Sequence, residues 1–154
     1  MKVRATIVTL ALCFVAAAVC LAADAFIGTW KLDEAKSKLV AGTPKNTTVV
    51  YEAAGDSVKV TVEGTDSEGK ATHNEWTGKF DGKEYAVTGD STSDMRSYKK
   101  VNERTLTFIG KKEGKETISG RIVISADGKT RTVSVTTTDA KGNKVQSTAV
   151  YDKQ

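Results

Sequence analysis

The strongest constraint on what this chain can fold into is a hairpin signal that recurs along nearly its whole length. Thr65-Asp66-Ser67-Glu68-Gly69 and Thr138-Asp139-Ala140-Lys141-Gly142 are near copies of each other. Each follows an alternating apolar run, Val58, Val60 and Val62 in the first case and Val133 and Val135 in the second. In Asp-x-x-Gly the aspartate starts a type I turn and the glycine takes the left-handed position that closes a bulged hairpin. Further turn signals punctuate the chain at Gly55-Asp56, Asp81-Gly82, Gly89-Asp90, Asn102-Glu103, Glu113-Gly114 and Asp127-Gly128.

Between the turns lie segments of strand length rich in Val, Ile, Thr and aromatic residues, which predicts about nine or ten strands. Alternation assigns their faces. Trp76 shares a face with Asn74, Gly78 and Phe80; Tyr85 shares one with Val87, Leu106 with Phe108, and Ile118 with Ile122 and Ile124. One helix candidate stands out at residues 33–39, capped by Asp33 and stopped by Gly42-Thr43-Pro44. So many short strands with one apolar face each must close on themselves or split into a sandwich. The expected fold is all-β: an up-and-down antiparallel meander barrel of about 8–10 strands, with at most one short helix after the first strand.

The first 25 residues read as a signal peptide rather than as structure. Lys2 and Arg4 make a basic start, an apolar run extends to Leu21, and Ala23-Asp24-Ala25 has the small-x-small form of a cleavage site. The apolar run is short for a spanning helix, so a retained membrane anchor is the weaker reading. Lipid modification of Cys20 is a minor alternative, because Val19 stands where a small residue is wanted. The expectation is an exported protein, periplasmic or extracellular, with one domain over residues 26–154 and no membrane span in the mature form.

Both cysteines, Cys13 and Cys20, fall in the leader. The mature chain therefore enters an oxidising compartment without a disulfide and must be held by its core. Of 23 basic and 19 acidic residues in the whole chain, 21 and 18 remain beyond the leader. They are interspersed, and the nearest thing to a basic cluster, Arg96, Lys99, Lys100 and Arg104, reads as a solvated strand edge. No nucleic-acid partner is expected, since such a surface wants a denser patch with aromatics between the charges.

Phe26-Ile27-Gly28-Thr29-Trp30-Lys31-Leu32 resembles the opening of lipocalins and fatty-acid-binding proteins, which carry Gly-x-Trp on the first strand. Thr148-Ala149-Val150-Tyr151-Asp152-Lys153 resembles the last strand of the fatty-acid-binding branch. With the meander and the length, the chain most resembles a secreted bacterial lipocalin-like member of the calycins. That resemblance implies a barrel whose interior holds a small hydrophobic or amphipathic molecule. Two features depart from it. Ala149 stands where the fatty-acid-binding branch has a carboxylate-gripping arginine two residues before the terminal Tyr, here Tyr151, and no arginine on the last strand is placed to pack on Trp30.

The chemistry-bearing residues favour binding over catalysis. His73, the only histidine, and Glu75 lie at i, i+2 on the face opposite Trp76; two ligands are too few for a closed zinc site. Nucleophilic serine chemistry would need His73 as base from that outward face. The aspartates sit mostly in turns, which they build. Neither an enzyme, a metal nor a cofactor is expected. Asn46-Thr47-Thr48 is an N-glycosylation sequon, relevant only to a eukaryotic source. Trp30 reads as a packing residue at the barrel floor. Trp76, Tyr85 and Tyr151 are the candidate ligand-binding residues, since each joins apolar area to a polar handle. The expected function is interior binding of a small apolar or amphipathic ligand by a monomer, with a preference for ligands lacking an obligatory carboxylate. The alternative is a solid barrel that acts through its surface or loops as an interaction module or inhibitor.

Overall fold

A computed structural model describes residues 24–138 and 142–154. Ten strands follow one another: β1 (Gly28–Lys38), β2 (Lys45–Ala54), β3 (Ser57–Thr65), β4 (Ala71–Gly78), β5 (Asp81–Thr88), β6 (Met95–Asn102), β7 (Thr105–Lys112), β8 (Lys115–Ile124), β9 (Thr130–Thr138) and β10 (Lys144–Lys153). Each pairs antiparallel with the next, and β10 returns to β1 to close the barrel. This is the up-and-down architecture expected from the turn signals. Closure leaves no sheet edge to be protected.

The shared turn behaves as its sequence demands. Asp66 Oδ1 accepts the amides of Glu68 and Lys70 at 2.9 Å each, and Gly69 takes a φ of +81°. In the second copy Gly142 has a φ of +83°. Most of that second turn, and nearly all of the expected leader, lie outside the described residues. Asp24 and Ala25, counted with the leader on sequence grounds, are already engaged with the barrel. Asp24 pairs with Lys100 at 3.1 Å, and its carbonyl accepts the Ile27 amide. Ala25 packs against the core.

No helix occurs among the described residues. The capping signal at Asp33 is real, since its carboxylate accepts the Lys36 amide at 3.1 Å. The segment is nevertheless drawn into β1. Asp33 pairs with Val150 and Lys38 with Thr148, so the extra β1 residues form a bulge. Ser37 Oγ donates to the Asp33 carbonyl and accepts the Val150 amide, tying that bulge to β10. The continuing sheet ladder satisfies more backbone groups than an isolated two-turn helix could.

The interior is divided along the barrel axis. Around the β2–β3, β4–β5, β6–β7 and β8–β9 turns it is filled by Phe26, Trp30, Trp76, Phe80, Tyr98 and Phe108. Trp76 meets Tyr98 edge-on at 4.8 Å and stacks on Phe80 at 6.3 Å. Trp30 is fully buried; its indole N–H donates to the Phe26 carbonyl at 2.9 Å. Lys153 lies with Nζ 5.1 Å from the Trp30 ring centre. A cation on β10 thus covers the first-strand Trp after all, but it is a lysine and sits at the end of the strand. Each large side chain in this plug contributes roughly 1.5–3 kcal/mol of burial.

The barrel wall is uneven. β3 and β4 pair continuously from Val58↔Gly78 to Thr65↔Ala71, whereas β4 and β5 pair only at Glu75↔Thr88 and Trp76↔Val87. Tyr85 leans into this seam. A Cβ on Gly78 would lie 2.6 Å from the Tyr85 ring and 2.7 Å from the Trp76 ring, so only glycine admits both aromatics there.

Candidate ligand cavity

The opposite half of the barrel is not filled. Among the described residues it holds a cavity of about 830 Å³ that is partly open to solvent. Leu32 on β1, Ile118 on β8, Val135 on β9 and Ala149 on β10 give it apolar walls. Asn74 on β4, Arg96 on β6, Thr117 on β8, Thr137 on β9 and Tyr151 on β10 add polar groups. Toward the β1–β2, β3–β4 and β5–β6 connections its lining includes Pro44, Asp66 and Asp90. Its wall thus joins apolar area to many polar side chains.

The three candidate residues are separated by height rather than by face. Tyr151, 4 % exposed, lines the cavity and donates its hydroxyl to the Asn46 carbonyl at 3.1 Å. Burial raises the pKa of its phenol. Trp76 is also inward and 1 % exposed, but it belongs to the aromatic plug, with its indole N–H bonded to the Arg96 carbonyl at 2.9 Å. Tyr85 lies edge-on to Trp76 at 5.7 Å and reaches Asp81 through its hydroxyl at 3.1 Å. Trp76 and Tyr85 border a smaller hollow of about 280 Å³ at the β4–β5 seam. Of the three, Tyr151 lines the larger cavity, and Trp76 and Tyr85 border the smaller hollow.

Two interior arginines change the electrostatics. Arg96, expected on a solvated edge with Lys99, Lys100 and Arg104, is only 9 % exposed and faces the cavity. Its Nη2 meets Asp90 Oδ2 at 2.6 Å, and Nη1 reaches Asn74 Oδ1 at a long 3.4 Å. Arg131 is 5 % exposed and lies between two tyrosine rings, 4.7 Å from the centre of Tyr151 and 5.5 Å from that of Tyr51. Its Nη2 donates to the Tyr51 hydroxyl at 3.0 Å, while among the described residues Nε and Nη1 have no hydrogen-bond partner. Burial pushes the Tyr51 phenol up to about 12, against the pull of the Arg131 charge. The premise for a preference against carboxylates, an inner face without a cation, does not hold.

The signal for both arginines was present in the alternation. Arg131 has the parity of Val133 and Val135, and Arg96 that of Tyr98. Outside the barrel, His73 is exposed and Glu75 half-buried. His73 Nδ1 meets Glu63 Oε1 at 2.6 Å, and that hydrogen bond, followed by the Glu63 charge, raises the imidazole pKa. Among the described residues no group of three or more His, Cys, Asp or Glu side chains is placed to hold a metal ion.

No family model matches this chain, and no curated protein matches it. The fold is similar to that of solved β-barrels. A structure described as EF1p2_mFAP2b bound to DFHBI aligns with a TM-score of 0.50 at 11 % identity, over 86 % of this chain and 97 % of the other. A redesigned beta barrel, mFAP1, bound to DFHBI gives a TM-score of 0.46 at 13 % identity, over 84 % and 95 % of the two chains. A further redesigned beta barrel, b11L5F_LGL, gives 0.46 at 14 % identity, over 88 % and 97 %. At such identities the likeness concerns the fold alone: ten strands closed into a barrel.

Proposed function

We propose that this protein is an exported, monomeric binding protein of the lipocalin or fatty-acid-binding kind, holding one small amphipathic molecule in the open half of its barrel. The observation that carries the reading is the division of the interior. Aromatic packing stabilises one half, and a cavity of about 830 Å³ occupies the other. That volume falls within the roughly 300–1,000 Å³ of small-molecule sites. The apolar part of the ligand lies against Leu32, Ile118 and Val135, and its polar end is oriented by Asn74, Arg96 and Tyr151. The cavity counts against the solid-barrel alternative, whose premise is an interior filled by side chains.

The test is a calorimetric titration with 1-dodecanol, paired with a variant that fills the cavity. Val135→Trp should abolish binding while circular dichroism and the urea midpoint stay near those of the wild type. Unchanged binding in a folded Val135→Trp protein would place the ligand elsewhere and overturn the reading. The intact mass of the exported protein tests the leader: a mass that retains Met1 would remove the export proposal.

A further inference from the structure

The cavity wall holds a buried cation whose only ionic partner among the described residues stands on a loop. Arg96 projects from β6, and Asp90 lies in the connection between β5 and β6. Both line the cavity. The other side-chain partners of Arg96 are uncharged: Asn74, at a long 3.4 Å, and the Tyr98 phenol. Behind Tyr151, Arg131 adds a second buried cation with no acidic partner among the described residues. Of these two guanidinium groups Arg96 alone is paired among the described residues, with Asp90; Lys45, Lys112 and Asp66 also line the cavity, so its positive groups outnumber its carboxylates. Buried charge of one sign in excess favours an incoming group of the other sign.

Asp90 has a second task. Its Oδ1 accepts the Thr92 amide at 2.8 Å and the Thr92 hydroxyl at 2.7 Å, shaping the loop. Thr117 Oγ1 on β8 donates to the Thr92 carbonyl at 3.0 Å, and Ser93 is buried beneath. The Arg96–Asp90 pair is therefore an ionic tether between the cavity wall and the loop at its mouth.

We propose that Asp90 is a displaceable counterion: the acidic group of a monoanionic amphiphile takes its place on Arg96 and loosens the loop of residues 89–93, which stays anchored at Asp94, while a neutral ligand of the same shape leaves the loop tethered. This rests on the cavity being a ligand site and adds the ligand's charge class and a coupled movement. Asp90 competes with the ligand for one guanidinium. It lowers affinity for acids and leaves affinity for neutral molecules to the apolar walls. A ligand can shift the loop only by the difference in its affinity for the tethered and released forms, and the Arg96 contact supplies that difference.

The experiment compares sodium dodecanoate with 1-dodecanol by calorimetry at about pH 8, where carboxylates are ionised. The reading is the ratio of acid to alcohol affinity within each protein. Asp90→Asn should raise that ratio about tenfold, the scale of one charge-assisted hydrogen bond. Arg96→Met should bring it below the wild-type value. Hydrogen exchange should quicken at the amides of Thr92 and Ser93 in the dodecanoate complex and not in the dodecanol complex. Asp90→Asn leaves the core side chains in place, so it tests the proposal even if Arg96→Met fails to fold. If both probes bind but the ratio is unchanged in Asp90→Asn, the counterion proposal is wrong and the cavity reading stands. If neither probe binds the wild type, both fall.

Discussion

The indole N–H of Trp76 donates to the main-chain carbonyl of Arg96 at 2.9 Å. The aromatic plug is thereby bonded to the residue whose side chain faces the cavity, fixing β6 beneath the ligand space. Trp76→Phe keeps much of the ring packing but leaves that buried carbonyl without its donor. A stability loss of about 1–3 kcal/mol is expected in urea denaturation. An unchanged midpoint would mean that water replaces the indole.

Trp30 contributes to stability and not to the cavity. It is fully buried, bonded to the Phe26 carbonyl and covered by Lys153. Trp30→Ala should cost about 3–5 kcal/mol. Ligand affinity of the fraction that remains folded should stay close to wild type. Calorimetry at low temperature, alongside urea melts, separates the two effects.

Two turn glycines with nearly equal φ should respond unequally to alanine. Gly69 has a φ of +81° and open space around its Cα, so Gly69→Ala should cost about 1 kcal/mol from conformation alone. Gly89 has a φ of +77°, and a Cβ there would lie 2.3 Å from the His73 carbonyl oxygen. Gly89→Ala must therefore move backbone and should lower the melting temperature markedly more than Gly69→Ala.

Arg131 should prove dispensable for stability. A buried cation with no acidic partner among the described residues bears a desolvation cost that its tyrosine contacts only partly offset. Arg131→Met made together with Tyr51→Phe leaves no orphaned hydroxyl behind. The pair should be as stable as wild type or up to about 4 kcal/mol more so. A clear loss in chemical denaturation would show that the cation–π contacts with Tyr51 and Tyr151 outweigh desolvation.

His73 should titrate above its ordinary value of 6.5, because Glu63 holds the protonated ring. Its folded-state pKa is the higher one. The associated stabilisation is therefore fully present below 6.5 and is lost as pH rises through the raised folded-state value. Glu63→Gln should shift the imidazole resonance titration downward in NMR. A titration insensitive to that change would assign the effect to Glu75.

Strand count and closure were legible because each turn carries its own chemistry, as at Asp66 and Gly69, and each strand alternates. Alternation reports the side of the sheet and is silent about height along the barrel. Trp76 and Tyr151 both point inward, yet Trp76 pairs with Val87 beside the plug and Tyr151 pairs with Leu32 beside the cavity. That height depends on strand stagger, which no local pattern encodes. Arg96 and Arg131 were hidden differently: their parity places them inside, while the usual cost of burying a charge argues for the surface. The 33–39 segment carries a genuine cap at Asp33, and the ladder to β10 overrode it.

The unequal filling of the barrel assigns durability and selectivity to different residues. Trp30, Phe80 and Phe108 hold the chain together whatever the cavity contains. Val135, Thr137, Val145 and Ser147 line the cavity instead. A lineage of such barrels could diverge in what it captures while its closed end stays constant, and the scaffold could be re-lined in the laboratory by the same route.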